Sequence, residues 1–188
     1  MVRPKHFGSN PETLANNAFQ SIAESGDLKS IQKQALKEFE AVKNELTSHD
    51  IEVIEIEDTA EPQTLDAIFP NNWFSTHHER CIVTYPMFSA NRRGERREGL
   101  IADLQEKYSY KKRYAFEYHE DDNEFLEGTG SMILDRDNRV VYACLGPRTS
   151  IVVLEKFAVL LGYRKVIFHG FDDEGTPVYH TNVMMCLA

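Results

Sequence analysis

The sequence has no long hydrophobic run. No apolar segment approaches the roughly 18 consecutive residues that a membrane-spanning helix requires. The first seven residues carry positive charge but lead into no apolar stretch, so they lack the pattern of a secretory signal. We therefore expect a soluble cytoplasmic protein without a membrane partner.

Cysteine is also scarce. The chain contains 3 cysteines, Cys81, Cys144 and Cys186, which lie far apart in apolar stretches. A chain of 188 residues does not need disulfides to be stable, so we expect all three to be reduced and buried. A zinc site would need three or four clustered ligands at suitable spacing, and the sequence shows no such set. We predict no metal and no cofactor.

Basic residues are in the minority. There are 21 Lys and Arg residues against 30 Asp and Glu residues, which gives a formal net charge of -9. This charge repels nucleic acids and anionic membranes, so neither is an expected partner. The local exception is the arginine-rich segment 91–97. A glutamate interrupts it and a predicted helix follows, so we interpret it as a solvated helix start rather than a nucleic-acid patch.

The length and composition favour one α/β domain that spans residues 1–188. A hydrophobic content of 41% is enough for a real core, but the chain is too short for several domains. The predicted helices are 28–48, 96–107 and 150–161, and the predicted strands are 51–56, 81–85, 113–118, 131–134, 140–145 and 165–168. A last apolar run near Val178 is interpreted as a further strand. The chain thus makes three passes of helix, strand, polar loop and strand.

Three polar residues recur at a near-constant spacing along these passes. The separations are 127 - 72 = 55 between Asn72 and Glu127, and 180 - 127 = 53 between Glu127 and His180. A constant period indicates equivalent structural positions, which would meet near the axis of a symmetric arrangement. An amide, a carboxylate and an imidazole would then share one pocket. Two similar spacings also arise by chance, and both interpretations remain open at this point.

Each residue also has a purely structural interpretation. Glu127 lies beside two glycines that allow close backbone approach to a ligand, but a solvated glutamate in a tight turn fits the same pattern. His180 is either a hydrogen-bonded structural histidine or, through its relation to Glu127, a general acid/base. Arg148 could bind a substrate carboxylate, or it could simply precede a helix capped by Thr149 or Ser150.

The pair Asn71 and Asn72 has the same ambiguity. The two residues follow a proline and precede Trp73, which is typical of an Asx-type turn with a packed indole. The functional alternative is that the side-chain amide of Asn72 contacts a substrate.

Several motifs, in this order, resemble those of the citrulline-utilisation hydrolase branch of the amidinotransferase and arginine deiminase (pentein) superfamily. The motifs are Val2-Arg3-Pro4, Asn10-Pro11-Glu12-Thr13, Asn17-Ala18-Phe19-Gln20, Phe69-Pro70-Asn71-Asn72-Trp73, Asn91-Arg92-Arg93, Leu126-Glu127-Gly128-Thr129-Gly130-Ser131, Pro147-Arg148-Thr149 and His180-Thr181-Asn182-Val183. Each motif alone is weak, but the ordered set is specific. The resemblance implies a pentein fold, a pseudo-symmetric α/β propeller of five modules, of which this chain would form three.

The resemblance also implies a chemistry. A cysteine thiolate attacks the carbon of a guanidino or ureido group of an arginine- or citrulline-like small molecule, and water or an amine resolves the covalent intermediate. By motif, His180 is the acid/base and Glu127 holds substrate nitrogens and orients the histidine. Substrate contacts are expected from Arg148, Asn71, Asn72 and Thr129. Arginine deiminases carry an aspartate where Asn72 stands, and a neutral amide suits a ureido oxygen, so we expect a citrulline-like substrate.

One departure from the family pattern concerns the nucleophile. The family cysteine lies in a glycine-rich segment of the last module, and this sequence has no counterpart. Cys186 would lie on the same strand as His180 and belong to the core. We therefore expect an incomplete domain that is inactive alone, and whose exposed strand edges would favour a homo-oligomer. The alternative is a non-catalytic pentein-fold binding or assembly module.

Overall fold

The computed structural model describes residues 1–14, 28–59 and 61–187. The predicted motif Asn17–Gln20 lies outside these residues. The chain forms two compact units, one of Met1–Pro70 with Ser89–Glu95 and one of Asn71–Phe88 with Arg96–Ala188. We describe each unit separately, and the single domain over 1–188 stays a prediction.

The first unit contains a βαβ arrangement. Strand β1 (Val2–Arg3), helix α1 (Pro11–Leu14), helix α2 (Leu28–Ser48) and strand β2 (Ile56–Glu57) follow in order, and β1 pairs with β2 in parallel. The predicted helix 28–48 is confirmed. The predicted strand 51–56 is wrong over most of its length, because β1 offers partners for only two residues. The Glu55 carboxylate instead forms ion pairs with Arg3 and Lys43.

The arginine-rich segment is not a solvated helix start. Residues Ala90–Glu95 form a short 3₁₀ helix, and the side chain of Arg92 is buried. Its Nε lies 2.7 Å from Glu95 Oε1 and its Nη2 lies 2.9 Å from Glu95 Oε2. Such a bidentate pair offsets part of the cost of burying two charges. Arg92 therefore has a structural partner that the sequence interpretation missed.

The second unit contains two three-stranded sheets with the same topology. In the first, β3 (Phe74–His77) pairs antiparallel with β4 (Cys81–Thr84), and after helix α3 (Glu98–Tyr108) strand β5 (Lys112–Ala115) pairs with β4 in parallel. The sequence analysis missed β3. Its alternation is hidden because its inward residues, Ser75 and His77, are polar and satisfy each other by hydrogen bonding.

The second sheet repeats this order. After the one-turn helix α4 (Gly128–Ser131), β6 (Met132–Asp135) pairs antiparallel with β7 (Val140–Cys144), and after α5 (Ile151–Leu161) strand β8 (Arg164–Phe168) pairs with β7 in parallel. The Ser150 hydroxyl caps α5 by accepting from the Val152 N–H, and Gly162 ends it at φ 71. The predicted hairpin, helix and strand are confirmed here, and the fold is mixed α/β.

A single core holds this unit together. The apolar face of α5 packs against both sheets, and all three of Val153, Leu154 and Phe157 are fully buried with Val83 of β4 and Val141 of β7. Within the described residues the strands form open sheets of two, three and three strands. The propeller and its module count stay predictions.

The last apolar run is not a strand. After His180 the chain forms a 3₁₀ helix, Thr181–Val183. The Thr181 hydroxyl accepts the hydrogen bond from the Cys144 N–H, so this N–H at the end of β7 is not available to a further strand.

Cys186 is exposed, so its predicted core position is wrong, whereas Cys81 and Cys144 are buried as predicted. None of the helices in the described part of the chain is long and apolar enough to span a membrane.

Candidate active site

The three periodic residues all lie at the ends of short helical turns. Asn72 closes the 3₁₀ helix Pro70–Asn72, Glu127 immediately precedes α4, and His180 immediately precedes the 3₁₀ helix Thr181–Val183. All three are buried, with Glu127 at 0% exposure. The interpretation of Glu127 as a solvated turn residue is therefore wrong.

A carboxylate–imidazole pair forms the centre of the site. His180 Nε2 lies 2.6 Å from Glu127 Oε2. The other carboxylate oxygen, Oε1, accepts a hydrogen bond of 3.0 Å from the backbone N–H of Phe88. Because both oxygens have donors, the carboxylate is held in one orientation and fixes the orientation of the histidine ring. An imidazole held in place by a carboxylate is well suited to general acid/base chemistry.

Asn72 and His180 meet over Gly130. A Cβ atom on Gly130 would lie 2.9 Å from Nδ1 and Cε1 of His180 and still closer to Nδ2 of Asn72. The absence of a side chain at this position therefore lets the amide and the imidazole approach the same point. The predicted convergence of amide, carboxylate and imidazole is present in the geometry.

The local backbone explains why Glu127 points inward. Its φ of -88 and ψ of 66 are those of an inverse γ-turn, closed by a 3.0 Å hydrogen bond from the Gly128 N–H to the Leu126 carbonyl. Gly128 then adopts φ +45, and a Cβ there would collide with the carbonyl oxygen of Asn71. Only glycine fits both conditions. The turn thus depends on the glycine that follows the carboxylate.

Arg148 belongs to the same cluster. Its Nη1 lies 3.6 Å from Glu127 Oε2, and its guanidinium carbon lies 4.8 Å from the ring centroid of Tyr179 and 5.7 Å from that of Phe88. The side chain is buried, and the helix cap falls to Ser150. A cation next to Glu127 reduces the cost of burying that carboxylate.

The remaining predicted contacts lie at the rim. Asn71 and Thr129 are both half-buried, on the turns that carry Asn72 and Glu127. Trp73 is fully buried, as the packed-indole interpretation expected, and its ring lies 4.5 Å from that of Phe74.

Two hydroxyl groups that the sequence analysis did not single out fix the turns. Ser131 Oγ accepts from the Glu127 N–H at 2.9 Å and donates to the Arg148 carbonyl at 2.6 Å. Thr181 Oγ1 accepts from the Cys144 N–H at 2.8 Å and donates to the Ser131 carbonyl at 2.5 Å. These residues lie within the quoted motifs, but nothing in the sequence shows which main-chain groups they bind.

The two buried cysteines have structural surroundings. Burial raises the pKa of the Cys81 thiol and that of the Cys144 thiol. Cys144 Sγ also accepts a hydrogen bond of 3.1 Å from the Gly170 N–H. A thiol with a raised pKa is a poor nucleophile.

Among the described residues no three His, Cys, Asp or Glu side chains are arranged to hold a metal ion. The absence of a metal stays a prediction.

Comparison with known proteins identifies the family. A family model described as N,N dimethylarginine dimethylhydrolase, eukaryotic, matches residues 3–188. A comparison with curated protein sequences gives no match.

Several solved structures have the same fold at low identity. The substrate-bound N-terminal domain of ArgZ, an arginine dihydrolase from the ornithine–ammonia cycle in cyanobacteria, gives a TM-score of 0.65 at 19% identity over 94% of this chain and 59% of that chain. AgrE in complex with ornithine and NAD+ gives 0.66 at 22% identity, over 93% and 23%. A dimethylarginine dimethylaminohydrolase adduct with S-methyl-L-thiocitrulline gives 0.60 at 15% identity, over 89% and 58%.

The present chain thus spans less than two thirds of the length of these relatives. At such identities their likeness establishes the mixed α/β fold. The predicted resemblance to the superfamily is confirmed, whereas the assignment to its citrulline-utilisation branch stays a prediction. Because the family model covers nearly the whole sequence, the chain belongs to the N,N-dimethylarginine dimethylhydrolase family of the pentein, or amidinotransferase, superfamily.

Proposed function

We propose that the protein acts on the C–N bond of a guanidino or ureido group in an arginine- or citrulline-like small molecule, as a hydrolase or amidinotransferase with a Cys/His/Glu mechanism. The observation that carries this proposal is the buried contact of 2.6 Å between His180 Nε2 and Glu127 Oε2. A buried carboxylate–imidazole pair adds little net stability, and buried, charge-coupled groups of this kind cluster at functional sites.

His180 is the proposed acid/base. Its Nε2 faces Glu127, so we assign proton transfer to Nδ1, the nitrogen beside Gly130. The negative charge of Glu127 stabilises the imidazolium that exists when both ring nitrogens carry protons. Glu127 also attracts the N–H groups of a planar C–N substrate.

The remaining polar residues bind the substrate. Asn72 presents an amide to the reacting group beside the imidazole, and Asn71 and Thr129 border it. A guanidinium has five N–H donors, so the contact of Arg148 with Glu127 is compatible with a second contact to a substrate carboxylate.

The proposed reaction has two steps. A thiolate sulfur bonds to the central carbon while the C–N bond breaks, and the leaving nitrogen takes the proton from His180 Nδ1. A water oxygen then bonds to the same carbon, its proton passes to Nδ1, and the C–S bond breaks to restore the thiolate. When an amine replaces water, the same steps give group transfer.

The nucleophile is proposed to be a cysteine other than the three in this sequence. The raised pKa values of Cys81 and Cys144 argue against either of them. The resemblance expects the nucleophile in a glycine-rich segment, and residues 184–187 around Cys186 contain no glycine. The 188 residues alone are therefore proposed to bind substrate without turning it over.

The substrate preference rests on Asn72. An amide donates to a ureido oxygen and accepts from an NH2 group, which favours citrulline-like molecules. The family description names dimethylarginine, which carries a guanidinium instead. The relative affinities of the protein for citrulline and for dimethylarginine decide between these two indications.

We also propose that the two repeated sheets are modules of a pentein propeller within one domain. Their identical strand order and connection support this proposal. The two outer strands of each sheet have unpaired edges in the described residues, which would favour a homo-oligomer.

The test is calorimetric titration of the purified protein with citrulline, arginine and dimethylarginine. We expect citrulline to bind, Glu127→Gln to abolish binding and Glu174→Gln, an exposed carboxylate, to leave it unchanged. Far-UV circular dichroism verifies that each variant is folded. Tighter binding of arginine or dimethylarginine contradicts the citrulline preference, and unchanged binding in Glu127→Gln favours a non-catalytic binding module.

A second measurement concerns the nucleophile. Ammonia and ornithine are quantified after incubation with citrulline, and we expect no turnover. Turnover that disappears in Cys186→Ser would show that the chain carries its own nucleophile.

A further inference from the structure

A cleft in the second unit, outside the proposed active site, lies at three loops. It has a volume of ≈ 460 Å³, within the range of about 300–1,000 Å³ that is typical of small-molecule sites. Its walls come from the β3–β4 turn, the α3–β5 loop and the β6–β7 turn. The lining residues are Thr76, His77, His78, Arg80, Tyr108, Tyr110 and Arg136. None of them belongs to the proposed active site.

The lining carries two arginines and no carboxylate, in a protein with a net charge of -9. Neither Arg80 nor Arg136 forms an ion pair with a carboxylate of the described residues. Of the three carboxylates of the same turns, Glu79 pairs with Arg139, Asp135 accepts from the amide groups of Asn138, and Asp137 does not line the cleft. The carboxyl end of α3 adds about half a negative charge, which two guanidinium groups outweigh. The cleft is therefore electropositive.

One wall of the cleft is rigid. Arg136 Nη1 donates to the Thr76 carbonyl at 3.0 Å and approaches His77 Nδ1 at 3.5 Å. A donor at Nδ1 leaves the ring proton on Nε2, which then donates to Ser75 Oγ at 2.7 Å. The hydroxyl groups of Ser75 and Tyr85 share a further hydrogen bond of 2.5 Å. This buried chain holds Arg136 in place without neutralising it.

The part of the lining that comes from the α3–β5 loop is aromatic. The rings of Tyr108 and Tyr110 lie 6.5 Å apart at an interplanar angle of 54°. Both residues are half-buried and line the cleft. An aromatic face stacks on planar groups, whereas guanidinium groups bind phosphate or carboxylate oxygens.

We propose that this cleft binds a small organic anion that combines a planar ring with a phosphate group, as a mononucleotide does. The phosphate is bound between Arg80 and Arg136, and the ring stacks on Tyr110, because the Tyr108 ring is inclined to it at 54° and has Lys107 Nζ 5.2 Å from its centroid. Binding at this cleft is independent of the chemistry proposed for the active site.

The experiment is titration of the protein with adenosine 5′-monophosphate, followed by the backbone amide signals of Arg80 and Tyr110 in NMR spectra. We expect saturable shifts, a loss of affinity of about ten-fold in Arg80→Gln, and no loss in Arg164→Gln, which removes the same charge from the exposed β8. Arg80 is exposed, so its replacement leaves the fold intact. Equal affinity of Arg80→Gln and wild type would overturn the proposal.

Two fragments of adenosine 5′-monophosphate test the ring contact and the phosphate contact separately. Adenosine and inorganic phosphate are each expected to bind at least about ten-fold more weakly than the monophosphate. Tyr110→Leu is expected to weaken the monophosphate but not inorganic phosphate. If inorganic phosphate binds as tightly as the monophosphate, the proposed ring contact is wrong.

Discussion

His180 Nε2 lies 2.6 Å from Glu127 Oε2, although 53 residues separate them in the sequence. The carboxylate is 0% exposed and also accepts from the Phe88 N–H. A buried ionic contact of this kind adds little net stability when complete, but it is strongly destabilising when one partner is removed.

Glu127→Gln is therefore expected to destabilise the fold. The glutamine side chain is neutral and cannot compensate the charge of Arg148. Its NH2 group would also replace one carboxylate oxygen and would face a second donor, either the Phe88 N–H or His180 Nε2. We expect the free energy of unfolding to fall by about 3 kcal/mol. Urea denaturation followed by circular dichroism measures this change. Glu174→Gln, on an exposed loop, should stay within about 0.5 kcal/mol of wild type. A loss in Glu127→Gln below about 1 kcal/mol would contradict the role of the charge.

Gly130→Ala should crowd the site. The added methyl group would lie 2.9 Å from His180 Nδ1 and closer to Asn72 Nδ2, so one of these side chains must move. We expect a loss of about 1–3 kcal/mol in the free energy of unfolding, as in other overpacked sites.

The matched control is Gly99→Ala in α3, where a Cβ meets nothing within 4 Å. Alanine there should stabilise the helix by up to about 1 kcal/mol. The midpoint temperature of thermal unfolding should thus fall in Gly130→Ala and rise in Gly99→Ala, each relative to wild type. A Gly130→Ala variant that is at least as stable as wild type would show that crowding at Gly130 is unimportant.

The sequence predicted the centre of the site better than its surroundings. The separation of Asn72 and Glu127 matches the repeat of hairpin, helix and strand in the two sheets, and such a repeat is visible in sequence because each copy needs the same elements. A third copy after His180 stays a prediction. Helices α2 and α5 were predicted for a similar reason, since their apolar periodicity and the cap at Ser150 are local signals.

The errors concern residues whose state depends on distant partners. Strand β3 is hidden because its inward residues are polar, and one of them, Ser75, is hydrogen-bonded to Tyr85 ten residues away. Arg92 is buried partly because its Nη2 donates to the Asp66 carbonyl, 26 residues away. The predicted final strand fails for the same reason, because Thr181 satisfies the end of β7 with a side chain. The donor to Glu127 Oε1 is a backbone N–H, which carries no sequence signal.

Thr181→Val should expose the importance of its hydroxyl. Valine has nearly the same shape but leaves the Cys144 N–H and the Ser131 carbonyl without their partner. We expect a loss of about 2 kcal/mol in the free energy of unfolding and faster hydrogen exchange of the Cys144 amide. Thr181→Ser keeps the hydroxyl and should retain most of the protection. Equal exchange in the valine and serine variants would contradict the bridge.

The stability of the protein should also depend on pH through His77. Burial, followed by the nearby charge of Arg136, lowers the pKa of His77 from 6.5 to about 4. Between these two values the unfolded chain binds a proton that the folded chain does not. The contribution of the neutral histidine is therefore fully present above pH 6.5 and is lost as the pH falls towards 4, by about 3 kcal/mol in total.

The replacement His77→Gln isolates this contribution, because glutamine can donate to Ser75 but does not titrate. Other groups also change the stability of both proteins with pH, so the informative quantity is the difference between wild type and variant at each pH. We expect wild type to be the more stable protein at pH 7 and to lose that advantage steadily between pH 6.5 and 4, measured by urea denaturation. A difference that stays constant over this range would show that His77 keeps an ordinary pKa in the folded state and that its ring is not held neutral by burial.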